Sequence, residues 1–152
     1  MDTLNITQVA TPLEALLALP FLRSIDSYYP KIADWYVNTV VPGIVQNDDV
    51  VLLARSGGNV VGAALGKSGT ERKLRCVRVA SSFAGSGLGI RLIDRVIDHI
   101  GPKPMCSVSE ELLHHYSRIF IKRYGFELGD VAKGAYRRGK LEYFFNGSYS
   151  AA

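Results

Sequence analysis

Cysteine is scarce in this chain: among 152 residues only Cys76 and Cys106 carry a thiol. Two thiols so far apart exclude a disulfide framework and a CxxC metal pair. Both lie in apolar stretches, which suits buried thiols in a reducing compartment. Long apolar runs are missing as well, since none approaches the roughly 20 residues a membrane helix needs. The start, Met1-Asp2-Thr3, has Glu14 inside its most apolar part and no basic residue before Arg23, the reverse of a secretory signal. The expectation is a cytoplasmic protein with no membrane partner. Charge of one sign is also thin: 18 Lys+Arg against 14 Asp+Glu leave +4. A nucleic-acid binder usually shows a denser basic stripe, so nucleic acid is the weaker partner and an anionic small molecule fits at least as well.

What is present is enough for a core. Hydrophobic residues make up 47%, which excludes global disorder and suits one domain over residues 1–152. Thr11-Pro12-Leu13-Glu14 is a capping box with proline at the first helical position. It predicts a helix with Leu13, Leu16, Leu17 and Phe21 on its apolar stripe, ended or kinked at Pro20. A second helix is expected from about Pro30 to Val41, stopped by Pro42-Gly43. Asp49–Arg55 and Asn59–Leu65 flank Ser56-Gly57-Gly58 as a hairpin, and Lys73–Val79 reads as a third strand.

A glycine-rich loop follows, then a segment in which Leu88, Leu92, Val96 and Ile100 share one helical face up to Gly101-Pro102. Next come a short strand over Met105–Val108, a helix capped within Ser107–Glu110 and stopped at Gly125, and strands from Phe126 and over Leu141–Phe145. The order α-α-β-β-β-α-β-α-β-β describes a mixed α/β layer with helices packed on a sheet.

The loop is the main chemical signal. A strand that runs into glycines and then into a helix gathers backbone N–H groups at one point, and the helix dipole adds about half a positive charge there. Phosphate oxygens fit such a place, because a Cβ would block their approach or forbid the turn. The spacing Gly85-x-Gly87-x-Gly89 is not a dinucleotide fingerprint, since Ile90 stands where the third glycine belongs. It is not a Walker loop either, because no lysine ends it. A diphosphate linkage suits it better than a triphosphate with magnesium; an ordinary strand-to-helix turn is the alternative.

These residues resemble the GNAT-type N-acetyltransferases, among them a small bacterial subfamily. Val77-Arg78-Val79 matches the family's fourth strand, Ala84-Gly85-Ser86-Gly87-Leu88-Gly89 its loop, and Tyr124-Gly125-Phe126 the close of its last helix. The tail from Gly134 to Gly147 is similar to that subfamily. The resemblance implies a mostly antiparallel sheet with helices on both faces and splayed central strands. It also implies acetyl-CoA as cosubstrate, no metal, and direct attack of a primary amine of a small molecule or protein on the thioester. Cofactor contacts would come from Val77, Val79, Ala84, Gly85, Ser86, Gly87, Leu88 and Gly89.

Three positions depart from the pattern. Ala84 replaces the usual Gln or Arg, His114 replaces an Asn, and Ile121 replaces the Tyr that often protonates the departing thiolate. An amine acceptor is cationic at neutral pH and needs a base. Glu110 is the candidate, with Glu111 beside it as a first-turn helix acid. Tyr116 and Tyr124 are candidate acids, and His114 or His115 a candidate proton carrier; each also has a reading as surface or packing residue. Cys106 as a nucleophile is disfavoured by its apolar strand.

Tyr28, Tyr29, Trp35 and Tyr36 stand where the fold would wall the acceptor pocket, with core packing as the alternative, preferred for Trp35. Arg72, Lys73, Arg75 and Arg78 are edge charges or phosphate contacts. A non-catalytic acyl-CoA-binding module is the alternative function, motivated by Ile121. A weaker nucleic-acid reading rests on Arg137–Lys140. Oligomeric state is left open, with Leu141–Phe145 a candidate homodimer seam.

Overall fold

The computed structural model describes residues 3–24, 31–46 and 48–149. The hairpin predicted around Gly57-Gly58 is present as β2 (Asp49–Ser56) and β3 (Asn59–Lys67). Both turn glycines have positive φ, 57° and 85°, which a right-handed two-residue hairpin turn demands. β4 (Lys73–Val79) lies beside β3, antiparallel. A strand the sequence reading missed, β1 (Leu4–Gln8), pairs with the other edge of β2, from Leu4 opposite Ser56 to Gln8 opposite Leu52. LNITQ has only two apolar residues and hides no face completely, so its pattern is faint. Its pairing comes from the exposed edge of β2. The element order therefore begins with a strand, not a helix.

β2 carries both cores. Val50, Leu52 and Ala54 point into one cluster and Val51 and Leu53 into the other, the period of two that a doubly covered strand must show. On the first face lies α5 (Leu88–Ile100), burying Leu88, Leu92, Ile93, Val96 and Ile100 as its stripe predicts. Each such side chain removed from water contributes about 1.5–3 kcal/mol. Gly66 of β3 lets α5 approach closely: a Cβ there would stand 2.6 Å from Val96 Cγ1.

The other face is covered by short pieces. These are α1 (Pro12–Ala15), a 3₁₀ turn (Leu16–Ala18), α2 (Leu19–Arg23), α3 (Ile32–Trp35), a π-helical turn (Tyr36–Val40) and α4 (Val41–Val45). The Thr11 cap is formed, with Glu14 N–H donating to Thr11 Oγ1 at 3.2 Å. The expected stripe is wrong, however. Leu13, Leu16 and Leu17 are 77%, 41% and 59% exposed, while Ala15, Ala18 and Leu22 are buried. The alanines let the backbone lie close enough for the buried Tyr36 hydroxyl to donate to the Ala15 carbonyl at 2.7 Å.

Neither Pro20 nor Pro42 stops its helix. Each falls in the first turn of a new segment, α2 or α4, where an N–H would lack an intrahelical acceptor. The expected start of the second helix at Pro30 lies outside the described residues.

A second sheet of β5 (Cys106–Ser109), β6 (Leu128–Lys133) and β7 (Leu141–Phe145) has the order β5-β7-β6. β7 is thus the middle strand, paired on both edges, and Phe144 and Phe145 are buried. It offers no free edge for a dimer. The last helix begins later than predicted, as α6 (Leu113–Arg118), and continues as a π-helical turn (Ile119–Arg123) to Gly125, whose φ is +67°. Ser109 does not cap it through its side chain: its hydroxyl is buried, and its carbonyl instead accepts from Leu112 N–H at 3.0 Å.

Candidate functional site

Among the described residues the backbones of the two sheets are joined at one bridge. Leu74 N–H donates to the Met105 carbonyl at 2.9 Å and Met105 N–H to the Arg72 carbonyl at 3.0 Å, an isolated parallel bridge between Lys73 and Met105. Beyond it β4 and β5 share no ladder and separate. A strand end without a partner leaves backbone groups to be satisfied by something else.

The loop sits at the far end of β4. Gly85 and Gly87 have φ of 77° and 85°, the left-handed region that glycine alone enters freely, and a Cβ on either would meet nothing within 4 Å. Glycine is therefore needed here for the turn, and the space outside is open. Gly87 is the N-cap of α5, so the N–H groups of Gly89 and Ile90 in its first turn have no intrahelical acceptor. Ser86 tightens the bend, donating through Oγ to the Phe83 carbonyl at 2.6 Å and accepting from Leu88 N–H at 3.3 Å. Ala84 is extended and exposed. Donors, a dipole and open space together suit a diphosphate.

Two hollows meet at the separation of β4 and β5 and share residues 74–76 and 106–107 as walls. The first, about 30 Å³, lies toward α6, with Val77, Arg78, Val108, Leu112 and Tyr116 around it. The second, about 690 Å³, lies toward α3, with Asp34, Trp35, Arg75, Ser107, Tyr136 and Phe144 around it. Its size is that of a small-molecule pocket.

Of Glu110, His114, His115, Tyr116 and Tyr124, the candidates for proton transfer, the structure brings Tyr116 to this cleft. Its hydroxyl donates to the Val77 carbonyl at 3.3 Å, and burial raises its pKa. That carbonyl also accepts from Arg78 Nη1 at 2.8 Å, so a further donor there must displace one of the two.

Glu110 and His114 line neither hollow. Glu110 is exposed, and its Oε1 accepts from Leu141 N–H at 2.9 Å, clamping the start of β7. His114 and His115 are both exposed on α6. Glu111 is held by Arg137, whose hydrogen bond lowers its pKa to about 2, with Lys140 Nζ 4.0 Å away. The same contacts engage two cations of the Arg137–Lys140 stretch and weaken its nucleic-acid reading.

Tyr124 is tied to Asp94 of α5, and burial pushes its phenol up to about 12. Ile121, where the resemblance leads one to expect a tyrosine, is 49% exposed. Cys76 and Cys106 are buried, and burial raises both thiols. Tyr36 is core, Trp35 faces the larger hollow, and Tyr28 and Tyr29 lie outside the described residues.

Two features were missed in the sequence. Arg75 lies over the Trp35 ring at 5.4 Å and 3.7 Å from Asp49 Oδ1, a largely buried ion pair at the cavity wall. Burial raises the Asp49 pKa, and Arg75 opposes that rise. Gly43 makes room for this carboxylate, since a Cβ there would overlap Asp49 Oδ2. The second is the buried Glu142, which accepts from Ser107 Oγ at 2.7 Å. Both pairs join residues distant in sequence, so only the absence of an evident surface role for an acid in LEYFF hinted at one of them.

No protein-family model and no curated protein matches the sequence. Solved structures do match in shape. A putative GNAT-family acetyltransferase from Desulfovibrio desulfuricans is 21% identical with a TM-score of 0.72, over 94% of this chain and 97% of that one. The PaiA N-acetyltransferase of Thermoplasma acidophilum, in complex with coenzyme A, is 13% identical with a TM-score of 0.67, over 93% and 98%. The ribosomal-protein-S18-alanine N-acetyltransferase of Escherichia coli is 13% identical with a TM-score of 0.65, over 94% and 92%. With its two antiparallel sheets, its parted β4 and β5 and its glycine turn at the head of α5, the chain has the fold of the GNAT acetyltransferases.

Proposed function

We propose that this chain is one acetyl-CoA-dependent N-acetyltransferase domain that acetylates a primary amine of a small molecule or protein. The observation that carries it is the parting of β4 and β5 directly before an open glycine turn. In this reading amides between Gly85 and Gly89 hold the diphosphate of acetyl-CoA, with Ala84, Ser86 and Leu88 shaping the bend. The backbone of Val77 and Val79 receives the pantetheine, and the thioester lies where the two hollows meet.

The amine approaches from the larger hollow and attacks the thioester carbon, the C–S bond breaks, and a proton reaches the departing sulfur. Tyr116, on the wall of the smaller hollow, is the candidate donor of that proton. Holding both reactants in one cleft supplies much of the acceleration. Glu110 and His114 act in this reading through structure, as a strand clamp and a helix surface. Two buried free thiols favour the cytoplasm as the compartment.

Isothermal titration with acetyl-CoA, followed by thiol release against a panel of primary amines, tests the proposal. Saturable binding with turnover of some amine is expected; no binding at high micromolar concentration overturns it. The exposed Ile121 favours one second reading, a non-catalytic acyl-CoA-binding module, which predicts binding without thiol release.

A further inference from the structure

Behind the cavity wall lies a buried acid that the mechanism above leaves unused. Glu142 of β7 is 4% exposed. A carboxylate so placed costs several kcal/mol unless donors satisfy it. One donor is Ser107 Oγ of β5, 2.7 Å from Glu142 Oε2. Tyr136, between β6 and β7, is hydrogen-bonded to Ser107 in turn. Ser107 and Tyr136 both line the larger cavity.

The strand register explains the juxtaposition. Ser107 stands opposite Phe144 and Ser109 opposite Glu142. Residues two apart on a strand share a face, so the two serines, Phe144 and Glu142 project together. Phe144 and Ser107 show that this is the cavity's face. The Ser109 hydroxyl there is buried without a partner. A line of hydroxyls thus connects the cavity to an acid behind its wall.

We propose that Ser107 and Glu142 form the route by which the proton of the cationic amine acceptor leaves. This rests on the acetyl-transfer reading. The ammonium gives a proton to Ser107 Oγ while the serine passes its own to Glu142 Oε2. The freed nitrogen pair then forms the N–C bond, the C–S bond breaks, a second proton passes from nitrogen to the departing sulfur, and Glu142 later returns its own to water. Ser107 touches the amine; Glu142 is a positioning residue that acts through it. Trp35, Tyr136 and Phe144 line the cavity, and Asp34 adds the carboxylate that an ammonium would meet there. The other charged groups lining it are Lys31 and, from β4, Lys73 and Arg75, the last two offset by Glu71 and Asp49 at 3.7 Å each; Tyr149 packs on Tyr136.

The test is thiol release from acetyl-CoA with a panel of primary amines between pH 6.5 and 9.5, for the wild type, E142Q, S107A and S107T, with CoA affinity measured on each. At pH 7, E142Q and S107A are expected to lose about 100-fold in kcat with CoA affinity unchanged, a typical contribution of a positioned base. That deficit shrinks toward pH 9.5, where the amine is increasingly neutral without help, and S107T restores most of what S107A loses. A deficit equal at every pH, or none, overturns the proton route while acetyl transfer stands. If E142Q does not fold, S107A decides the matter alone. A wild type that binds acetyl-CoA but releases no thiol with any amine overturns both readings.

Discussion

The two faces of the sheet are built by opposite means. One is covered by α5, thirteen residues of unbroken α-helix. The other is covered by four helical pieces of four or five residues, linked in part by a 3₁₀ and a π turn. The regular face leads into the glycine turn and offers backbone amides to a ligand. The irregular face supplies side chains: Asp34, Trp35 and, beneath them, the Arg75–Asp49 pair. A diphosphate needs only donors at fixed positions, which one helix end provides. An acceptor needs shape and charge, which short segments can vary without disturbing the sheet.

Truncations on the two faces separate these roles. Leu92→Ala and Leu22→Ala each remove a fully buried side chain and should cost about 2–5 kcal/mol in chemical denaturation. Only the first sits beneath the loop, so it alone should also weaken acetyl-CoA binding. If both weaken it equally, the faces are not distinct.

Asp49→Ala leaves the Arg75 guanidinium buried without its anion, at an expected loss of about 3 kcal/mol. Amine KM should rise while CoA affinity, measured calorimetrically, stays the same. Gly87→Val puts a β-branched residue at φ +85°, a strain of about 1–3 kcal/mol. Acetyl-CoA affinity should fall, and thermal unfolding should move down by about 2–4 °C for each kcal/mol of that strain.

The smallest effect belongs to Glu111. Its folded pKa, about 2, lies below the ordinary 4.5 because of Arg137. The ion pair therefore stabilises the protein above about pH 4.5 and is lost as pH falls toward 2. Glu111→Gln should flatten the acid limb of stability against pH in that window, by less than about 1 kcal/mol at neutral pH.

The regular half was legible in the sequence because its signals are local. The Leu88–Ile100 stripe, the Gly57-Gly58 turn and β4 were read at or near their observed bounds. The irregular half was not. Ala15 and Ala18 bury the face that the leucines were expected to bury, because close approach and the Tyr36 hydroxyl decide it, and neither shows in periodicity. Pro42-Gly43 reads as a stop, yet the widened turn before it admits the proline and Asp49 takes the room above the glycine.

The candidate site divides the same way. Its loop is contiguous and was readable. Arg75–Asp49 and Ser107–Glu142 are assembled across strands, and no spacing within one segment reveals them. Glu110 was placed by the handover from strand to helix and His114 by the resemblance, but the helix starts late and both are exposed.

The central claim is that coenzyme A enters where β4 and β5 part, with its diphosphate on the glycine turn. Titrating acetyl-CoA into isotopically labelled protein and following backbone amide NMR signals tests it residue by residue. The largest shifts are predicted at residues 85–90 and 77–79, saturating together. Saturating shifts confined to other surfaces, with these amides unmoved, would contradict it.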